Sequence, residues 1–464
     1  MAAGPNYKCP TVGMPTNWST KVAGVITNGQ LDPAALGQWW RVFGDPVLTD
    51  LVASAQRNNL DVKQAEARLR KARAQRQLAG AEQWPAVSLN ASGSRSRSSE
   101  QMGAGSSATM SSYANSLDAS WELDLFGGKR RVVESADASL QASKEALRDT
   151  MVSLLAEVAL NYVQYRSAQT RLRIVETNLA AQTETYNIAR WRQQANLVTQ
   201  LDVDQARLSL EQTRAELPAF RTSLEQSEHQ LAILLGVPPG GLKAQLEAGT
   251  ASTVPVATSE LAVGVPADVL RQRPDVREAE RTLAAQTAQI GVAAASRYPD
   301  LALSGSIGLE ALSLGDLYTA GARTAQGLVK AGLTIFDGGQ IRQKVAIQTA
   351  MQEEALAAYE AAVLGALKDV EDALVAYANE RVRERALQDA ETAGESAFKL
   401  ARDKYASGLV DFQTVLNTQQ SLLTVQSTLA SSHAEVTSDL IRLYKALGGG
   451  WTPEIGTDQH RTEK

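Results

Sequence analysis

The chain has little of what most enzymes use for chemistry. Its 464 residues include one cysteine, Cys9, and three histidines, His229, His433 and His460. A single cysteine excludes an intrachain disulfide and leaves the redox compartment open. The histidines are far apart and have no ligand-spaced neighbours, which argues against zinc. No metal and no cofactor is expected. The one triple-glycine run, Gly448–Gly450, ends a helical pattern and is not a strand-to-helix phosphate loop. No Ser/Cys–His constellation is present, so the expectation is a protein that is not an enzyme. A formal net charge of −5 gives no basic footprint for nucleic acid. No run of 18 or more apolar residues exists, which excludes a transmembrane helix. A transmembrane β-strand needs only about 9–11 alternating residues, so a membrane barrel stays open. No signal peptide precedes Gly4-Pro5-Asn6-Tyr7, and the sequence reads as a mature form.

Aromatics are only 5% of the residues against 44% hydrophobic, with alanine, leucine, glutamine, glutamate and arginine dominant. That balance favours long helices packed side by side. The clearest case runs from Phe336 to Trp451. It starts at Gly338-Gly339, continues to Lys404 without a proline, turns near Gly408 and Asp411, and returns to Leu447-Gly448. This reads as one long helical hairpin. A second copy spans Gly127-Gly128 to about Leu235-Gly236, with Pro218 as an expected kink in its return helix. Its first helix has a seam through Leu147, Met151, Leu154, Val158, Tyr165, Ala168, Leu172, Val175 and Leu179, spaced as in a coiled coil. From Lys129 to Arg192 it would extend roughly 95 Å.

The segments before each hairpin also repeat. After a poorly periodic tail, Asp45 can cap a short helix with Pro46 in its first turn and Leu48, Leu51, Val52 and Ala55 on its apolar face. A helix through Val62, Ala65, Leu69 and Ala72 follows and stops at Trp84-Pro85. The period then changes to two. Val87, Leu89 and Ala91 alternate with serine and asparagine, a Ser/Gly/Arg-rich loop covers 94–112, and Tyr113, Leu117, Ala119, Trp121, Leu123 and Leu125 form a second apolar row. The facing row is Ser112, Ser116, Asp118, Ser120, Glu122 and Asp124. Alternation of this kind fits a half-buried soluble strand as well as a strand between lipid and water. Asp61-Val62, Leu69, Trp84-Pro85 and Leu89 recur as Asp275-Val276, Leu283, Tyr298-Pro299 and Leu303, a shift of about 214 residues. The second half thus gains a strand at Leu301–Leu309, a loop at 311–323 and a strand from Leu328.

Four strands cannot close a barrel, and an open sheet in lipid leaves backbone groups unpaired. If the strands are membranous, several chains must share one barrel, and three chains supply about 12 strands. An obligate homotrimer is the expectation.

The residues are specific enough to name a family. The chain resembles the TolC-like outer-membrane efflux ducts, in the lipoprotein branch that serves resistance-nodulation-division (RND) pumps. The marks are Gly4-Pro5-Asn6-Tyr7, Trp39-Trp40-x-x-Phe43-x-Asp45-Pro46, Trp121-Glu122-Leu123-Asp124-Leu125-Phe126-Gly127, Arg273-Pro274-Asp275-Val276-Arg277-x-Ala279-Glu280, Phe336-Asp337-x-Gly339 and Tyr444-Lys445-Ala446-Leu447-Gly448-Gly449-Gly450-Trp451. The resemblance implies a fold of long helical hairpins plus membrane β-strands, in which a trimeric 12-stranded β-barrel is continuous with a 12-helix periplasmic α-barrel. On this chain it assigns 58–83, 129–236, 274–297 and 339–447 to the helices and 84–128 and 298–338 to the strands. It assigns 1–57, 237–273 and 448–464 to tail and equatorial segments. It implies a passive exit for drugs or toxic compounds, with a periplasmic adaptor and an inner-membrane RND-type transporter as partners. Outer-membrane lipid is the further partner, and no nucleic acid is. Protein-secretion ducts share this architecture, and a soluble coiled-coil scaffold is the remaining alternative.

The resemblance places a gate at the hairpin turns, about 193–204 and 407–420. Asp202, Asp204, Asp411 and Phe412 are the candidates there, together with Asn417, which stands where relatives often carry aspartate. Capping or solvation is the competing role for these acids. Trp84, Trp121, Phe126, Tyr298 and Phe336 are candidates for a membrane-interface belt, with packing at the strand–helix junction as the competing role. Met1 occupies the position where relatives carry a lipidated cysteine. Cys9 is its rival and reads better as an unmodified thiol.

Overall fold

The computed structural model describes residues 2–11, 13, 15–20, 25–26, 33–99, 109–247, 253–257, 261–262 and 272–451. Among these, the elements in chain order are β1 (Val25–Ile26), α1 (Pro33–Gly37), a 3₁₀ turn (Trp39–Phe43), α2 (Pro46–Asn58), α3 (Leu60–Ala81), β2 (Ala86–Arg97) and β3 (Thr109–Leu123). Then come α4 (Gly128–Gln194), α5 (Gln200–Leu234), α6 (Lys243–Glu247), β4 (Leu261–Ala262), α7 (Pro274–Ala295), β5 (Asp300–Ala311), β6 (Arg323–Gly332), α8 (Gln340–Ala406) and α9 (Phe412–Ala446). The two hairpins match in length: α4 and α8 have 67 residues each, α5 and α9 have 35 each. The chain divides into two compact units, one of Met1–Thr11, Ala67–Lys144 and Glu278–Ala361, the other of Val12–Glu66, Glu145–Arg277 and Ala362–Lys464.

The first unit holds an antiparallel sheet in the order β2-β3-β5-β6. At their loop ends its strands run further than the alternation suggested, while β3 ends at Leu123, before Leu125 of the apolar row. β2 continues to Arg97 through what reads as loop, β3 starts at Thr109, and β6 starts at Arg323 rather than Leu328. Residues 100–108 lie outside the described residues. The same unit pins the N-terminal segment. Ala3 N donates to Phe126 O at 2.9 Å. The Arg131 guanidinium, almost wholly buried, donates to Ala3 O at 3.0 Å and Asn6 Oδ1 at 2.7 Å. Gly4, at φ +82°, lies so close to Gly291 that a Cβ on Gly4 would sit 2.4 Å from the Gly291 Cα. Tyr7 Oη donates to Glu280 Oε1 at 2.9 Å. These contacts give the Gly4-Pro5-Asn6-Tyr7 motif its purpose: it is a strap seated on α4 and α7.

The second unit carries the main hydrophobic core. Asp45 caps α2, accepting from Val47 N at 2.8 Å and Leu48 N at 3.1 Å, and Leu48, Leu51, Val52 and Ala55 are buried as the spacing requires. Trp39 is fully buried, stacked on Tyr444 at 5.3 Å and edge-on to Trp40 and Phe43. A polar chain crosses this core. Arg166 Nε donates to Tyr162 Oη at 2.9 Å, and Tyr162 Oη donates to Asp45 Oδ2 at 2.7 Å. Around Leu155–Val163, α4 is buried on more of its circumference than a coiled-coil seam, because the core covers more than one of its faces. α5 runs unbroken through Pro218. The glycine run after α9 is a packing device: Gly449 lies against Trp39, where a Cβ would come within 2.9 Å of the indole, and Gly450 N donates to Leu36 O at 3.1 Å.

Candidate functional site

None of the described residues in the four strands of the sheet is buried. Its register sorts the side chains completely. Leu89, Leu117, Ile307 and Ala325 lie in one row, and Trp121, Leu303 and Val329 in another. Ser88, Asp118, Ser306 and Gln326 form a row on the opposite face, where Asp118 Oδ2 accepts from Asn90 Nδ2 at 2.6 Å and from Ser116 Oγ at 2.8 Å. Odd-numbered strand residues therefore share a mainly apolar face, with arginines at its loop end, and even-numbered ones a hydroxyl-rich face that holds the acids and also Met110, Leu328 and Lys330. Large apolar side chains stand exposed on the first, among them Leu89 at 79% and Val329 at 68%. In a soluble sheet such residues would be covered.

The five belt aromatics all fall at the helix end of this sheet. Trp84 and Phe336 are exposed. Trp121 is partly exposed and its Nε1 donates to Gln83 O at 2.9 Å. Phe126 and Tyr298 instead stack on each other at 4.8 Å with an interplanar angle of 13°, so in this chain they pack the strand–helix junction.

The hairpin turns share one design. Asn196 (φ 58°) and Gly408 (φ 72°) take the left-handed conformation that reverses the chain. Leu197 N donates to Arg192 O and Leu409 N to Lys404 O, each at 2.9 Å. Thr199 and Asp411 then cap α5 and α9. Asp202 completes a capping box, accepting from Thr199 N and Thr199 Oγ1 at 2.8 Å each. Asp411 accepts from Thr414 N at 2.9 Å and from the Thr414 hydroxyl, which together hold its carboxyl below the usual aspartate range. Phe412 is buried with Ala189, Val203, Ala206 and Leu416, tilted against Tyr405 at 5.3 Å. Within the chain, Asp202 and Asp411 satisfy helix-end donors, and Phe412 fills the core of the tip. Asp204 and Asn417 are exposed, bonded within their own helices to Gln200 and Gln413.

Two features went unread in the sequence. Leu197 and Leu409 protrude at the same point of each turn, each 73% exposed. The repeated Leu-Val pair after Asn196 and Gly408 was the available signal. Arg273, in the Arg-Pro-Asp motif, has a structural role. It grips Asp275 through Nε at 3.0 Å and Nη2 at 2.6 Å, Asp369 through Nη2 at 3.0 Å, and the Ala446 carbonyl at the end of α9 through Nη1 at 2.9 Å. Beside it lies a cavity of about 420 Å³ lined by Asp149, Asp275, Asp369, Asp439 and Lys445. Glu225, Glu228 and His229 come together on α5, but the Glu228 carboxylate is taken by Gly240 N at 3.1 Å and Leu242 N at 3.2 Å, which fastens the segment after that helix.

A two-faced sheet and paired long hairpins agree with the sequence comparison. The family described as "Outer membrane efflux protein" matches residues 51–237 and 265–449. The chain belongs to that family. The antibiotic efflux pump outer membrane protein ArpC of Pseudomonas putida is 32% identical over 456 residues, covering 97% of this chain and 93% of ArpC. The pyoverdine export outer membrane protein OpmQ of Pseudomonas putida is 34% identical over 458 residues, covering 97% of this chain and 95% of OpmQ. Among solved structures, the outer-membrane channel OprN superposes with a TM-score of 0.90 at 32% identity, covering 97% of this chain and 99% of OprN. This efflux protein is a channel of the outer membrane and periplasm, trimeric in its working form, and serves as the exit duct of a tripartite system. It is a conduit and not an enzyme.

Proposed function

We propose that this duct exports small drugs and toxic compounds delivered by an RND-type inner-membrane transporter through a periplasmic adaptor. The observation that carries the reading is the sheet: an apolar face for lipid and a hydroxyl-acidic face for a water-filled lumen, on strands too few to close alone. ArpC is named for antibiotics and OpmQ for pyoverdine, so small amphiphilic cargo is the common ground. The adaptor meets the hairpin tips, where Leu197 and Leu409 offer matched apolar points. Asp204 and Asn417, exposed gate candidates that cap no helix, face the narrowed lumen there, where threefold repetition would make a charged ring of Asp204. Trp84, Trp121 and Phe336 lie at the periplasmic membrane interface. An acyl anchor belongs at the position of Met1, which lies outside the described residues, and the strap of residues 2–7 sets where that anchor enters the bilayer.

Deleting the gene and measuring susceptibility across a broad compound panel tests the reading. Lower inhibitory concentrations for several unrelated compounds, restored by the intact gene, are expected. An unchanged panel together with loss of a secreted protein would point to protein export. In planar bilayers, Asp204→Ala with Asn417→Ala should raise single-channel conductance. Unchanged conductance removes both from the constriction.

A further inference from the structure

The apolar face of the sheet carries charge at one end alone, and of one sign. Following the register across all four strands, the charged residues in odd positions are Arg95 and Arg97 on β2 and Arg323 on β6. All three lie toward the β2–β3 and β5–β6 connections, away from the helices. Every acidic residue of the strands, Asp118, Glu122, Asp300 and Glu310, falls on the even face. Arg95 and Arg323 are exposed and have no hydrogen bond or ion pair among the described residues.

The position matches the rim of a hydrocarbon layer. Arg323 pairs with Leu309, and the residues Leu301 to Leu309 run about 27 Å along β5, the length of a tilted strand that crosses a hydrocarbon layer. Arg95 lies beyond Ala91, which shares the row of Asn115 and Leu309. Aromatic and apolar groups gather between the rows of Arg323 and Arg95 and in the adjoining connection. Tyr113 is on the same face. Tyr318 of the β5–β6 connection is exposed, and its hydroxyl accepts from Asn115 Nδ2 at 3.2 Å. Leu312 and Leu314 of that connection are exposed as well. Interface tyrosines with snorkelling cations are how a protein meets lipid headgroups. The five aromatics picked out from the sequence are all at the other end, so this rim is a separate surface.

We propose that this end of the apolar face docks the phosphorylated glycolipid of the outer leaflet, with Arg95, Arg97 and Arg323 holding its phosphates and Tyr113 and Tyr318 lying against its sugar–acyl boundary. The proposal rests on the outer-membrane reading above. Guanidinium groups match phosphate oxygens in geometry and charge, and among the described residues no carboxylate bonds Arg95 or Arg323.

The test uses the full-length trimer purified from outer membranes in detergent. Bisphosphorylated lipid A, dephosphorylated lipid A and phosphatidylglycerol are titrated and bound lipid is counted by native mass spectrometry. The parent protein should prefer bisphosphorylated lipid A. Arg95→Ala with Arg97→Ala and Arg323→Ala should weaken it by at least about tenfold, to the level of the dephosphorylated lipid, while the trimer stays intact. Arg385→Ala, an exposed cation on α8, should change nothing. If the triple variant does not assemble, Arg95→Gln and Arg323→Gln are measured singly, each expected to lose a few-fold in affinity. Equal binding by parent and variants, or equal affinity for phosphatidylglycerol, overturns the proposal. Absence of the parent chain from the outer-membrane fraction would instead overturn the reading on which it rests.

Discussion

At the scale of single residues, the best-determined positions are those that satisfy a helix end. Asp45 holds two N–H groups of α2 and receives the Tyr162 hydroxyl. Asp45→Ala removes a cap, about 1 kcal/mol, and leaves a buried hydroxyl without its acceptor, about 1–3 kcal/mol more. A lower thermal midpoint of the solubilised trimer, read by tryptophan fluorescence, is expected. Arg273→Lys should be nearly as damaging as Arg273→Ala, because one ammonium cannot reach Asp275, Asp369 and the Ala446 carbonyl together; amide exchange at the end of α9 would report it. Asp149 gives a signed pH effect. Burial, helped by the nearby Asp275 carboxylate and opposed by Lys445 and Arg273, pushes its carboxyl above the usual range. Folding therefore favours its protonated form, and stability from this site is lost as pH rises from the ordinary aspartate value through the raised one. Asp149→Asn should melt higher than the parent at neutral pH, with the difference shrinking on acidification. Asp411 has the opposite sign: its contribution, present at neutral pH, is lost as pH falls through its lowered value. The cap at Asp45 was legible because Asp-Pro before an apolar helical face is a local signal. The grip of Arg273 was not, since two of its three partners lie 96 and 173 residues away.

At the scale of elements, the long helices and their stops could be read from periodicity, from Trp84-Pro85 and from the glycine pairs. The strands were read short for a physical reason. β6 begins Arg323-Thr324-Ala325-Gln326-Gly327, small and polar residues that give almost no alternation in hydropathy. The gate candidates show a different limit. An aspartate three residues before a threonine in a turn looks alike in sequence whether it caps a helix or lines a channel, and the structure makes Asp411 a cap. Phe412 was placed at the right turn, but only the packing of Tyr405 and Leu416 shows that it points inward. The turn itself makes a prediction. Asn196 stands at φ 58°, where a β-branched side chain is strained. Asn196→Gly should leave export intact. Asn196→Val should cost about 1–2 kcal/mol locally, visible as faster protease cleavage at the α4–α5 turn with the rest of the chain protected.

At the scale of the whole molecule, assembly with further chains is built into the strand number, because among the described residues β2 and β6 each end the four-stranded sheet with an unpaired edge. Equal hairpins have a consequence for counting. α4–α5 and α8–α9 agree residue for residue in length, and their turns agree in backbone path, protruding leucine and cap position. Three chains thus present six nearly equivalent ends to whatever docks on them. A partner that reads turn shape and leucine alone sees six sites and can bind in a sixfold ring. A partner that distinguishes the Thr199–Asp202 cap from the Asp411–Thr414 cap sees two alternating classes of three. The two caps hold the same hydroxyl and carboxylate in exchanged positions, Thr199 with Asp202 and Asp411 with Thr414, and Asp411→Thr with Thr414→Asp, which makes the two caps alike, is the change that tests whether a partner counts six sites or three.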